Sequence, residues 1–277
     1  MTLCIGALCK DVVPTMPCIV FCFDSKVGGN EFASETEYKF HILSDQVMAL
    51  VADRPGRGKE LAGYYRHHLR GLRLTENNLI RELQEPVRTL KHRIAEAYTA
   101  RKFGISYQDF LLKGAASFGH AAFDKHNSVI EANPLHVDMI IGGFFLPQLP
   151  GAYEPFLCEL RDGELDRVTN FSLIGSGWYT AEPALHARAQ TSNTRLPDAV
   201  YNVYEAKRLG ESSPHVGKET RLYVLKCPDP VKQDPKLRVK MLKPEGEKEL
   251  SKRFKKYGPR PVPVQKLTDE MFTQGHY

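Results

Sequence analysis

No stretch of the 277-residue sequence supplies the roughly 18 to 20 consecutive apolar residues that a membrane-crossing helix needs. The N-terminus also lacks the charged-then-apolar pattern of a secretory leader, so the expected location is the cytoplasm. Cysteine is sparse. Six (Cys4, Cys9, Cys18, Cys22, Cys158, Cys227) in so long a chain do not make a disulfide scaffold, in keeping with a reducing compartment. An excess of charge of either sign is missing from most of the chain: residues 1–227 hold 26 basic and 26 acidic residues, and the net +5 arises from Pro228 to Tyr277, where 12 basic meet 7 acidic. No internal repeat is present.

What is present is a hydrophobic content of 42%, enough for a large core, in one sizeable domain or two small ones. "TLCIGALC" and "CIVFCFDS" read as antiparallel strands joined through the proline-interrupted "KDVVPTMP". "EYKFHIL" and "VMALVA" form a second pair across Ser44 and Asp45. After Pro55, "GKELAGYYRHHLRGL" and "ENNLIRELQEPVRTLKHRIAEAYTARKFG" carry apolar residues at helical spacing, with Gly104 as a C-terminal stop and Pro86 as a kink or an early end. "YQDFLLKGAASF" has the texture of a helix.

Strands return in "VDMIIGGFFL", "PFLCELRD" and "LDRVTNFSLIG", the last two joined across Asp162-Gly163. Helices over about Trp178 to Ala189 and about Leu196 to Leu209 lead to the strand "TRLYVLKC". This block order predicts an α+β fold of antiparallel sheets packed on helical layers rather than a βαβ repeat. Residues 1–227 form the expected domain. Residues 228–277, basic and proline-rich, are expected to be a tail or arm with a helical patch at "GEKELSKRFKKY".

Four segments, in order and spacing, carry a resemblance: "TLCIGAL", "FDSK", "SETEYKFHIL" and "SLIGSGWYTAEPAL". Together they resemble the β-type subunits of proteasomes and their bacterial homologues, which are N-terminal nucleophile hydrolases. The resemblance spans roughly residues 2–226. It implies a four-layer αββα sandwich of two antiparallel sheets between helical layers. It implies a threonine peptidase that cleaves unfolded polypeptides inside a homo-oligomeric ring or related assembly, fed by a separate ATP-dependent unfoldase. No metal or cofactor is called for.

Carried over residue by residue, the resemblance makes Thr2 the nucleophile once Met1 is removed, with its own freed α-amine taking the proton. An ordinary α-amine has a pKa near 7.7 to 8.0, so a useful fraction is free base at neutrality. Lys39 falls on the family's lysine, Asp24 on the aspartate that orients it, and Ser176 of "GSG" on the serine beside the amine. A lysine acting as base would need its pKa lowered from about 10.4 by some three units, near 4 kcal/mol. A charged lysine that eases deprotonation of the threonine amine is the cheaper arrangement. Each residue taken alone has an ordinary role, as second residue, turn former, solvated charge or loop. The conjunction favours the site.

Two positions depart from the family. Asp53 stands where a glycine usually gives its N–H to the oxyanion hole, and a carboxylate there would oppose the developing charge. Aligning Gly217 with a family glycine puts Ser213 near an aspartate position and Val216 at a serine position in "GESSPHVGKE". Two alternatives therefore accompany the peptidase: a catalytically silent assembly or binding subunit, and a small-amide hydrolase with the same nucleophile.

Other patterns carry less. Cys18 and Cys22 on one strand would lie about 13 Å apart, too far to share a metal ion, and read as core residues with Cys4 and Cys9. His67 and His68 diverge on a helix. "PGRGKE" lacks the spacing of a phosphate loop, and "GSG" lacks the pattern of a nucleophile elbow. In "KELSKRFKKYGPRP", Phe254 and Tyr257 interleave with basic residues, but a solvated tail or an arm onto a neighbouring subunit outweighs nucleic acid as its use.

Overall fold

The computed structural model describes residues 2–12, 16–24, 39–53, 55–132, 135–145, 153–227, 238–258 and 272–274, the backbone alone at 53, 55 and 272–274. Its strands are β1 (Cys4–Lys10), β2 (Pro17–Asp24), β3 (Phe40–Ser44), β4 (Val47–Asp53), β5 (Val137–Phe145), β6 (Glu154–Arg161), β7 (Glu164–Val168), β8 (Phe171–Ile174), β9 (Thr220–Lys226), β10 (Arg238–Leu242) and β11 (Phe272–Gln274). The helices are α1 (Pro55–His68), α2 (Leu79–Phe103), α3 (Tyr107–Phe118), α4 (His120–Glu131), α5 (Trp178–Ala187), α6 (Leu196–Gly210) and α7 (Pro244–Tyr257).

Two antiparallel sheets result, one of six strands in the order β11-β10-β9-β2-β1-β8 and one of five in the order β3-β4-β5-β6-β7. The side-chain period of two in β1 and β2 explains how they stack. Cys4, Leu8, Ile19, Phe21 and Phe23 point into a core shared with Met48, Leu50, Ile140 and Leu157 of the other sheet. The alternate residues Ile5, Ala7, Cys9, Val20 and Cys22 pack outward, against Leu185, Val200 and Tyr204 of α5 and α6. On the far side, Ala49, Val51, Met139 and Ile141 meet Leu61, Leu83, Val87 and Leu90 of α1 and α2. Helices thus cover both outer faces of the paired sheets. At the centre Gly6 lets the sheets approach, since a Cβ there would stand 2.8 Å from Ile140.

The expected hairpins form as read, Cys4 opposite Phe23 in the first and Phe40 opposite Leu50 in the second. Gly104 ends α2 in the left-handed region at φ 71°, its N–H donating to the Ala100 carbonyl. Pro86 neither ends the helix nor marks its limit. The stripe Leu79, Leu83, Pro86, Val87 and Leu90 is buried along one face, and that packing carries the helix through the missing hydrogen bond. The helix expected at "YQDFLLKGAASF" is α3, capped by Ser106, whose Oγ accepts from the Asp109 N–H at 3.0 Å.

One expected strand is two. "LDRVTNFSLIG" breaks at Thr169 and Asn170, so that β7 stays beside β6 while β8 crosses to pair with β1. The polar bend accounts for this: the Asn170 carbonyl accepts from the Leu8 N–H at 2.8 Å and anchors the crossing. After Cys227 the chain adds β10 beside β9, and α7 sets Leu250 and Phe254 against the outer-face core near α6. β11 pairs in turn with β10, Phe272 opposite Leu242, and the remainder of 228–277 lies outside the described residues. No helix among the described residues is long and apolar enough to cross a membrane.

Candidate active site

Thr2 stands two residues ahead of β1, Asp24 is the last residue of β2, and Lys39 directly precedes β3. Hairpin pairing sets Cys4 opposite Phe23, which brings the start of β1 beside the end of β2. The Asp24 N–H donates to the Leu3 carbonyl at 3.2 Å, and the Leu3 N–H donates back to Asp24 Oδ1 at 2.9 Å. That double tie fixes the carboxylate next to Thr2.

Asp24 is the hub. Thr2 Oγ1 donates a short hydrogen bond to its Oδ1. Lys39 Nζ donates to the same oxygen at 3.0 Å and to the Asp24 carbonyl at 2.6 Å. The Gly217 N–H donates to Oδ2 at 2.7 Å. Thr2, Asp24 and Lys39 are 4%, 0% and 5% exposed, so the charges are withdrawn from water. Burial of a carboxylate in this way is tolerable because a cation and three further donors compensate it. Oδ1 already serves three donors, which suits it to orienting the hydroxyl and holding the ammonium close.

The "GSG" turn closes another side. It links β8 to α5, and Gly175, at φ 87°, lies so near Thr2 that a Cβ there would collide with the Thr2 carbonyl. A side chain is excluded both by space and by the left-handed backbone. The Ser176 hydroxyl next to it is buried without a hydrogen-bond partner among the described residues. Gly177 packs against Leu3 and Val216.

Asp53 ends β4, opposite Val137. Because Phe40 pairs with Leu50, Lys39 stands alongside Val51, and β4 runs two residues further to Asp53. Cys4 Sγ donates to the Val51 carbonyl at 3.7 Å, tying this end of β4 to the start of β1. Met1 and the rest of "FDSK" beyond Asp24 lie outside the described residues, as does "SETEY".

Of the residues expected from sequence, the structure brings Thr2, Asp24 and Lys39 into mutual hydrogen bonding and sets the turn holding Ser176 against Thr2. The loop 211–219 is only partly as expected. Ser213 and Val216 form a backbone turn, the Val216 N–H donating to the Ser213 carbonyl at 3.1 Å. Val216 offers an isopropyl group against Gly177 where a serine would offer a hydroxyl.

Sequence reasoning missed what holds that loop. Lys207, on α6, is fully buried; its Nζ donates to the Lys218 carbonyl at 2.9 Å and to Glu211 Oε1 at 2.5 Å. The i,i+4 spacing of Lys207 and Glu211 is visible in the sequence, but such pairs are usually exposed, so it carried no signal. Burial elsewhere leaves the thiols inert: desolvation pushes Cys158 up to about 12, and drives Cys22 and Cys9 well above the ordinary thiol range. No protein-family model matches the chain, and no curated protein matches it.

Proposed function

We propose that the chain is a threonine-type N-terminal nucleophile hydrolase that cleaves peptide bonds. One observation carries the reading: a buried aspartate joins the Thr2 hydroxyl, the Lys39 ammonium and two backbone N–H groups at the point where the first two strands and the third converge. The stacked sheets between helices are compatible with the Ntn-hydrolase fold that the resemblance implies.

In the proposed reaction, removal of Met1 frees the Thr2 α-amine. The amine, directly or through one water, takes the hydroxyl proton as Oγ1 attacks the carbonyl carbon. Lys39 remains charged beside Asp24, and its positive field favours the neutral amine and the developing alkoxide. Backbone N–H groups at the end of β4, Asp53 among them, would receive the oxyanion. An acyl-threonine forms as the amine half of the substrate leaves with the transferred proton, and water then releases the acid half. The substrate class is unfolded polypeptide, with self-assembly in the cytoplasm and an ATP-dependent unfoldase as the proposed context.

Val216 in place of a serine, and Asp53 at the oxyanion position, favour a second reading: a silent subunit that uses the same fold for assembly or binding. Hydrolysis of a peptide library by wild type and by Thr2→Ala separates the two. The peptidase reading expects turnover by wild type only. Equal cleavage by both would remove Thr2 from the mechanism, no cleavage by either would favour the silent subunit, and cleavage confined to small amides would redirect the substrate class.

A further inference from the structure

Thr2, Asp24 and Lys39 are withdrawn from water, so a substrate is met first by what stands around them. Directly after the "GSG" turn, on the first turn of α5, come two exposed aromatic side chains, Trp178 at 39% and Tyr179 at 56%. The Trp178 N–H donates to the Gly175 carbonyl at 3.2 Å, and Gly175 is the residue on which a Cβ would strike the Thr2 carbonyl. One tight turn therefore joins the pair to the candidate nucleophile. The two rings meet edge to face, their centroids 6.4 Å apart at 90°.

Arg161, the last residue of β6, steadies the indole from the other sheet, its guanidinium carbon 5.5 Å from the ring centroid. That guanidinium is itself fixed: it donates to the Leu173 carbonyl of β8 at 2.8 Å and pairs with Glu159, which accepts from Ser172 Oγ at 2.5 Å. Leu173 stands opposite Ile5 of β1, so the stack lies at the Thr2 end of the sandwich. We infer that Trp178 and Tyr179 form a specificity subsite for an apolar, above all aromatic, side chain on the residue directly after the cleaved bond. The inference rests on the peptidase reading and deepens it. Asp24 takes the Thr2 hydroxyl on one side, while the "GSG" turn lies against the Thr2 main chain, which carries the amine. The leaving half of the substrate takes its proton from that amine, and so passes the turn and the aromatic pair. Arg161 is already answered by Glu159, so the surface offers rings rather than net charge. Trp and Tyr supply such contact area with few rotamers to freeze.

The test reads digests of a peptide library by mass spectrometry, scoring the residue that follows each cleaved bond, for wild type and Trp178→Ser/Tyr179→Ser. Phe, Tyr and Leu are expected about fivefold over Ser and Gly in wild type, as an aromatic contact implies, and near parity in the double variant. The ratio is internal to each digest, and so independent of how much protein is folded. Equal ratios in both proteins would overturn the subsite and leave the peptidase reading intact. Binding is read separately in Thr2→Ala, where the emission of Trp178, the chain's one tryptophan, reports from this position. A capped alanine peptide with a central Phe should change that emission saturably, at about fivefold lower concentration than the same peptide with Ser. That result without hydrolysis by wild type would end the peptidase reading while supporting the aromatic site. No saturable change, or one midpoint for both peptides, would overturn the site itself.

Discussion

The buried ammonium of Lys207 donates to the carbonyl of Lys218 at 2.9 Å, and the amide one residue earlier, Gly217, donates to Asp24 at 2.7 Å. A side chain on α6 thereby holds in place a backbone donor to the centre of the candidate site, though it touches none of Thr2, Asp24 or Lys39 itself. Replacing it tests that linkage. Lys207→Met leaves Glu211, among the described residues, with Arg208 at 3.3 Å as its remaining cation, and should cost about 2 to 3 kcal/mol in urea unfolding. If Thr2 is the nucleophile, kcat should fall about tenfold with KM little changed, because binding surfaces are untouched while the hub loses a fixed donor. A variant equally stable and equally active would show that the loop holds itself.

Asp24 and Lys39 should behave as one unit. Asp24→Asn removes the negative charge beside the buried Lys39 ammonium, leaving its bond to the residue-24 carbonyl, and sets an amide N–H₂ against groups that donate, whereas Lys39→Met removes the cation beside a buried carboxylate. Each change is expected to cost about 3 to 5 kcal/mol. The double variant should be less unstable than the sum of the singles by about 2 kcal/mol or more, measured as a double-mutant cycle in denaturant. Additive losses would mean that the pair is not coupled.

Gly175→Ala tests the approach of the "GSG" turn. The new Cβ meets the Thr2 carbonyl, and its backbone must remain at φ 87°. A loss of at least about 1 to 2 kcal/mol is expected from the left-handed conformation alone. Displacement of Thr2 should depress any turnover further than the thermal midpoint suggests, a comparison that kinetics on the folded fraction makes directly. An unchanged midpoint would contradict the contact.

The fold was legible where period-two alternation met a clear turn. In β1 and β2 the alternate residues really do serve two different cores, and Ser44 with Asp45 closes the second hairpin. It was misread at "LDRVTNFSLIG", because the β-branched Val168 and Thr169 carry strand texture up to Asn170 and only a tertiary bond, from Leu8 to Asn170, reveals the change of sheet. Pro86 reads as a breaker from local chemistry, whereas burial of its face decides otherwise. In the site, Thr2, Asp24 and Lys39 are legible only through the resemblance carried by "TLCIGAL", "FDSK" and "SETEYKFHIL", and the structure sets each of them at or within two residues of a strand end. Lys207 is not legible, since nothing local distinguishes a buried i,i+4 pair from an exposed one.

Alkaline instability follows from the buried thiols. The ordinary thiol pKa is near 8.5, and burial raises Cys158 to about 12 and Cys22 higher still. Above about pH 8.5 the unfolded chain releases these protons while the folded chain keeps them. Stability is therefore fully present below that pH and declines as pH rises toward the folded-state values, by about 1 to 2 kcal/mol for each of the two thiols near pH 10. Urea unfolding from pH 8 to 10 measures this slope, which Cys158→Val should make shallower. A slope unaffected by that change would assign the decline to other groups.

The central claim is that Thr2 acts as an N-terminal residue, with hydroxyl and amine on the same side chain and backbone. Mass spectrometry of the N-terminal peptide, taken from purified protein that hydrolyses peptides, tests it most directly. The account predicts a chain that begins at Thr2, with Met1 absent. Quantitative retention of Met1 in fully active protein would contradict it, because an acylated Thr2 nitrogen could not take the proton.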